Sequence, residues 1–156
     1  MTARLDPFAA APAQMKLWLD MSLRIAPSVE HSLLELVKIR ASQINGCANC
    51  LRMHTADARN AGETEQRLYL LSAWPEAPCY TPRERAALAW TEVLTQVATA
   101  RAPDAVYQEF AFEFTPEEQV QITLMINAIN GWNRIAVGFN LFQEAAPVAL
   151  PSARAA

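Results

Sequence analysis

The sequence is poor in the residues that build tight turns, disulfide frameworks and basic surfaces. Four glycines in 156 residues are too few for the many turns of a strand-rich domain, and no segment alternates apolar and polar residues for long. Three cysteines cannot form a disulfide framework. A chain of this length does not need one, because it can bury roughly 68–70% of its unfolded surface. Only two lysines stand beside eleven scattered arginines, and with a net charge of −3 there is no basic patch for nucleic acid. No apolar run approaches the ~18 residues of a membrane span. Asp6 and Pro7 fall where a secretory leader would carry its apolar core. What is present is a 52% hydrophobic, 19% charged composition, which excludes wholesale disorder. The expectation is one cytoplasmic domain over residues 1–156, with no nucleic-acid or membrane partner.

The starts and stops along the chain read as helices. Pro12 opens a first one, with Leu17, Trp18, Met21 and Ile25 at helical spacing. Ser28 is placed to cap a second, which runs to about Ile44 and ends at the Asn45-Gly46 turn signal. A third runs from about Cys47 to Asn60, and a fourth from Thr64 to Trp74, where Pro75 stops it. Thr81-Pro82-Arg83-Glu84 and Thr115-Pro116-Glu117-Glu118 each join a Thr cap, a Pro at the first helical position and a Glu at the third. They start helices to about Ala100 and Phe139, the second with a bend placed at Gly131, and a shorter helix from Asp104 to Phe114 lies between them. The core then spans about residues 12–142, and 143–156 form a tail with Pro147 and Pro151. The fold class is all-α, a bundle of about six to seven helices.

Several of these helices are apolar on more than one face. The second spreads Leu34, Leu36 and Ile39 around its circumference, and the long last one carries Val120, Ile122, Leu124, Met125 and Ile126. A domain of this size has room for about one fully enclosed helix, so the excess points to a homo-oligomer.

The chemically suggestive feature is Cys47-Ala48-Asn49-Cys50 at the head of the third helix. The first turn of a helix presents unpaired N–H groups and the positive end of its dipole, both of which favour thiolate over thiol. Cysteines three apart face the same side there, and His54 falls on that face one turn later, where an imidazole can carry protons to or from sulfur. Two other readings fit the spacing. The cysteines could be buried and inert, or Cys47, Cys50 and His54 could bind zinc with Cys79 as a fourth ligand. Zinc lacks a second paired half-site, and ligands within one helix close a tetrahedron awkwardly, so a redox dithiol is the preferred reading, and it leaves Cys79 a bystander. Glu35 falls on a helical wheel opposite the apolar centre, near His31, Lys38 and Ser42, which by pattern alone makes it a solvated surface glutamate.

The segment from Glu35 through Cys47, Cys50 and His54 resembles the core motif of the AhpD-like alkylhydroperoxidases of the carboxymuconolactone decarboxylase family. The likeness extends over about residues 30–140, through Gln43-Ile44-Asn45-Gly46-Cys47, Met53-His54-Thr55-Ala56-Asp57 and Ile129-Asn130-Gly131-Trp132-Asn133. The resemblance implies an all-helical fold assembled as trimers or as hexamers. It implies thiol peroxidase activity with no cofactor and no metal, in which a peroxide is the substrate and an external dithiol the reductant. The alternatives are a non-catalytic redox sensor or dithiol electron carrier and, against the presence of the cysteine pair, the family's other activity, lactone decarboxylation. By position, Cys50 matches the peroxide-attacking cysteine, Cys47 its resolving partner, and Glu35 and His54 the proton relay. The helix-terminus argument instead favours Cys47 as the more acidic thiol. Where the best-characterised alkylhydroperoxidases carry a histidine before the second cysteine, this chain has Asn49.

Overall fold

In the computed structural model, which describes residues 2–142, every regular element is helical. The order is α1 (Pro7–Ala10), α2 (Pro12–Ser22), α3 (His31–Ile44), α4 (Ala48–Asn60), α5 (Glu65–Leu70), α6 (Pro82–Thr95), α7 (Val97–Ala100), α8 (Asp104–Glu113) and α9 (Pro116–Phe139). A 3-10 turn, Leu71–Ala73, follows α5. Two of these helices, α1 and α7, are single turns, so the longer ones number seven, as the sequence led us to expect. The tail from Gln143, a further sequence expectation, lies outside the described residues.

The enclosed helix is α3, which packs against α4, α6 and α9. Its residues serve three core clusters. Leu33, Leu34 and Val37 join α6, α8 and α9, Leu36 and Ile39 face the α5 and α6 side, and Ala41 meets the cysteines and α9. Each fully buried aliphatic side chain stabilises the fold by roughly 1.5–3 kcal/mol, so a helix apolar around its circumference is ordered by its neighbours. The long helix α9 instead leaves Val120, Leu124 and Val137 exposed.

Both Thr-Pro-x-Glu starts form complete capping boxes, Thr81 with Glu84 and Thr115 with Glu118. Arg83 then ties the two starts together: it donates to Glu118 and to Glu30, just before α3.

Several boundaries differ from the sequence expectation, each for a local reason. The start of α3 is His31 rather than the turn after Ser28, whose hydroxyl donates 2.7 Å to Gln121 on α9 and so anchors the preceding loop. Asp6 caps the additional turn α1. The expected fourth helix tightens into its 3-10 turn after Leu70. Helix α6 ends at Thr95, with Gln96 out of helical conformation before α7. The apolar spacing of α2 does not mark a buried stripe, since Leu17 and Met21 are exposed and Ile25 is buried beyond the helix end. Helix α9 runs unbroken through Gly131. The role of that glycine is close approach: a Cβ there would lie 2.4 Å from Cζ2 of Trp18, whose indole packs on Trp132.

Candidate functional site

The site begins with the junction between α3 and α4. Gly46 takes a left-handed conformation (φ +65°) that ends α3. Its N–H donates to the Gln43 carbonyl (3.2 Å) and the Cys47 N–H to the Ser42 carbonyl (3.0 Å), the paired bonds of a Schellman terminus. Cys47 is thus the last residue closing one helix and the N-cap of the next. The Cys50 N–H donates to its sulfur at 3.3 Å. Cys47 had been expected to start the third helix; as its cap, it places its sulfur over the open amides of the first turn.

A line of amides holds this junction against α9. Asn45 donates to Asn130 (2.9 Å) and Asn133 (2.8 Å), Asn133 donates to Ser42 (3.0 Å), and Asn130 reaches Thr95 on α6 (3.0 Å). Asn130 and Asn133 are buried, and a buried amide left without partners costs about 1–3 kcal/mol. The arrangement therefore tolerates one seating of the turn. Asn130 and Asn133 lie three apart and so share the face of α9 that meets this turn.

Cys47 and Cys50 are paired as a disulfide with a Cα–Cα distance of 5.4 Å, and both are buried. His54 lies one turn beyond Cys50 on α4 and is buried as well. Its Nδ1 is 3.0 Å from Oε2 of Glu35, on the facing side of α3. Glu35 is only 2% exposed, which overturns the wheel-based expectation of a solvated glutamate. The middle of the polar side of α3 is covered, with His54 of α4 against Glu35 and Asn133 of α9 against Ser42, while His31 at its start stays exposed. Lys38, the neighbour of Glu35 on the polar side of α3, completes the arrangement by donating 2.7 Å to Oε1 of Glu35. Its side chain is 17% exposed.

Burial pushes the Glu35 carboxyl up, but the hydrogen bonds from His54 and Lys38 outweigh it, and the net shift is downward from the ordinary 4.5. An ionised Glu35 only accepts hydrogen bonds, so Nδ1 of His54 carries the proton that it shares with Oε2. That tautomer leaves Nε2 as the basic nitrogen. Asp57 stands 3.9 Å from Nδ1 and His31 stands 3.8 Å from Oε1; both are at the exposed margin.

A cleft of about 290 Å³ opens beside the cysteine turn, between Gly46–Asn49 and Ala136, Val137, Asn140 and Phe142. Asn49 lines it and accepts from Arg52 at 3.5 Å. The third cysteine, Cys79, packs with Tyr80, Leu71 and Leu36, in a different cluster from Cys47 and Cys50. The three thiols therefore do not assemble into the zinc set that spacing alone allowed. Among the described residues, Glu35, His54 and Asp57 bring three ligand atoms within 4.8 Å of one another. The Lys38 ammonium lies on Oε1 of Glu35 at 2.7 Å, and His54 on Oε2 at 3.0 Å.

Comparison with known proteins shows the family and the fold. Residues 12–93 match the model of the carboxymuconolactone decarboxylase family. The chain is 44% identical over 138 residues to YdfG of Bacillus subtilis, a protein named as uncharacterised; the match covers 88% of this chain and 94% of that one. A crystal structure from Agrobacterium tumefaciens, of a protein of unknown function described as a candidate antioxidant defence protein AhpD, superposes with a TM-score of 0.89 at 40% identity. That superposition covers 92% of this chain and 99% of the other. A peroxidase-related protein from Silicibacter sp. shares the fold, with a TM-score of 0.76 at 21% identity over 88% of this chain and 74% of its own.

The depressed Glu35 carboxyl makes stability depend on pH. Its contribution is complete above the ordinary carboxylate value and is lost as pH falls through the lower native value. Glu35→Gln should cost about 1–3 kcal/mol at neutral pH. It should also flatten the acid limb of stability, measured as urea midpoints between about pH 3 and pH 7. Parallel acid limbs for the two proteins would contradict this account of Glu35.

Proposed function

We propose that this chain, which belongs to the carboxymuconolactone decarboxylase family, is a thiol-dependent hydroperoxide reductase working through a Cys47–Cys50 dithiol/disulfide cycle. The observation that carries the reading is the seating of the cysteine pair at the head of α4, one turn from a buried His54–Glu35 pair. Disulfide-forming thiols and a proton carrier on one helix face are what peroxide reduction requires.

In the reduced protein, His54 takes the Cys50 proton at Nε2 while Glu35 stabilises the resulting imidazolium. The Cys50 thiolate attacks one oxygen of the hydroperoxide, the O–O bond breaks, and the departing alkoxide takes the proton from His54 as an alcohol. Cys50 is then a sulfenic acid. Cys47 gives up its thiol proton and attacks that sulfur, the proton passes to the hydroxyl, which leaves as water, and the disulfide forms. The Cys50 N–H directed at the Cys47 sulfur favours the thiolate needed for this second step. An external dithiol returns both cysteines to thiols and is itself oxidised to a disulfide. The cleft is lined by Cys47 and Asn49, and in this reading it is where the external dithiol meets the disulfide.

Asn49 favours a second reading. Its amide cannot take up a proton as the histidine of well-characterised alkylhydroperoxidases can, and a non-catalytic dithiol sensor would need no such help. Turnover separates the two, since a sensor reacts once per chain. Stopped-flow peroxide consumption with a regenerating dithiol should show many turnovers. Cys50→Ser should abolish them, and His54→Gln should slow them about 10²–10⁴-fold. Undiminished consumption by Cys50→Ser would refute the assignment.

The reading includes a homo-oligomer, a trimer or hexamer, in a cytoplasmic setting where dithiol reductants operate. Support comes from large apolar side chains left on the surface, among them Leu17 and Leu23 near α2 and Val120 and Leu124 on α9. Light scattering should give a multiple of the 17.3 kDa chain; a monomer mass at micromolar concentration would remove this part.

A further inference from the structure

We propose that Lys38 is a positioning residue of the same site, a cationic clamp that holds Glu35 by one oxygen so that the other fixes the His54 tautomer. The inference rests on the reading of Cys47 and Cys50 as working thiols and adds a residue to which that reading assigns no role.

The geometry divides the carboxylate cleanly. Lys38 occupies Oε1 at 2.7 Å and His54 occupies Oε2 at 3.0 Å. Lys38 follows Glu35 by three residues on α3, so the two side chains lie on one face of a helix whose backbone is enclosed by its neighbours. The Lys38 side chain is 17% exposed and that of Glu35 3%, and a contact so withdrawn from water is screened far less than one at an open surface. Lysine reaches Glu35 from its own helix and His54 reaches it from α4, so the carboxylate also registers the two helices against each other.

The remaining charges around Glu35 do not duplicate this role. On α3, His31 approaches Oε1 only to 3.8 Å and is mostly exposed. On α4, Asp57 is an anion 3.9 Å from the imidazole, which would compete with Glu35 for the proton on Nδ1. From α6, Glu92 is engaged by Arg40 and by the Trp74 indole. From α9, the polar groups meeting the end of α3 are the neutral amides of Asn130 and Asn133. Lys38 is therefore the close cation among these groups that opposes the burial of Glu35.

Removing the ammonium leaves a buried carboxylate with one partner, and burial then favours its protonated form. A protonated Glu35 no longer stabilises an imidazolium, and Cys50 loses the base that accepts its proton. The effect moves thiolate formation to higher pH.

The test is the pH dependence of alkylation by iodoacetamide, followed by mass spectrometry at Cys50 in the fully reduced protein. Lys38→Met should move the acid limb upward by about one pH unit, and Lys38→Arg, which keeps the cation, should restore it. Circular dichroism verifies the fold, and Lys38→Gln carries the same test if Lys38→Met does not fold. A folded Lys38→Met or Lys38→Gln protein whose profile superimposes on wild type would overturn the proposal. So would a Lys38→Arg profile shifted as far as Lys38→Met. Alkylation requires no peroxide. A displaced profile in a protein that never turns over peroxide would refute the peroxidase reading and leave the Lys38 assignment standing.

Discussion

The burial of the Glu35 carboxylate is the constraint on which the rest of the site depends. An ionised carboxylate withdrawn from water is costly unless each oxygen is paired. Here each oxygen has one partner, Lys38 on Oε1 and His54 on Oε2. Because those partners come from α3 and α4, satisfying the charge also sets how the two helices face one another. His54 then sits one turn from Cys50 with its tautomer decided by Glu35. The charge that makes α3 expensive to enclose is the same charge that prepares the imidazole.

The opposite end of the α3–α4 junction is governed by backbone accounting. Gly46 lets α3 close on itself, Cys47 caps α4, and the asparagine line from Asn45 to α9 leaves the turn no alternative seat. Cysteines three apart on an exposed loop would sample many separations. Held by a Schellman terminus and a cap, their Cα atoms stand 5.4 Å apart, within the span that a disulfide accepts. Glu35–His54 and Asn45–Asn133 thus act as two anchors on either side of the thiols.

The helices were legible from their punctuation. Both Thr-Pro-x-Glu boxes, the Asn45-Gly46 stop and the proline after Trp74 marked real changes of backbone. Ser28 misled because a hydroxyl beside a helix start can serve a distant partner, here Gln121. The cysteines and His54 were legible as a helix face. Glu35 was not legible from pattern, because a wheel ranks polarity on one helix and cannot see that another polar face will cover it; only its likeness to a family motif pointed to the site. Lys38 and the asparagine line escaped for the same reason, since each matters through a partner on another helix or a turn away in space.

The family relationship accounts for the fold, and the proposed chemistry rests on the Cys47–Cys50 pair and the neighbouring His54–Glu35 pair. The most direct measurement is mass spectrometry of the reduced chain after one equivalent of an organic hydroperoxide. The account predicts loss of two hydrogens, located at a Cys47–Cys50 disulfide, with Cys79 still a free thiol. Oxidation confined to Cys79, or an unmodified cysteine pair with peroxide still present, would contradict it.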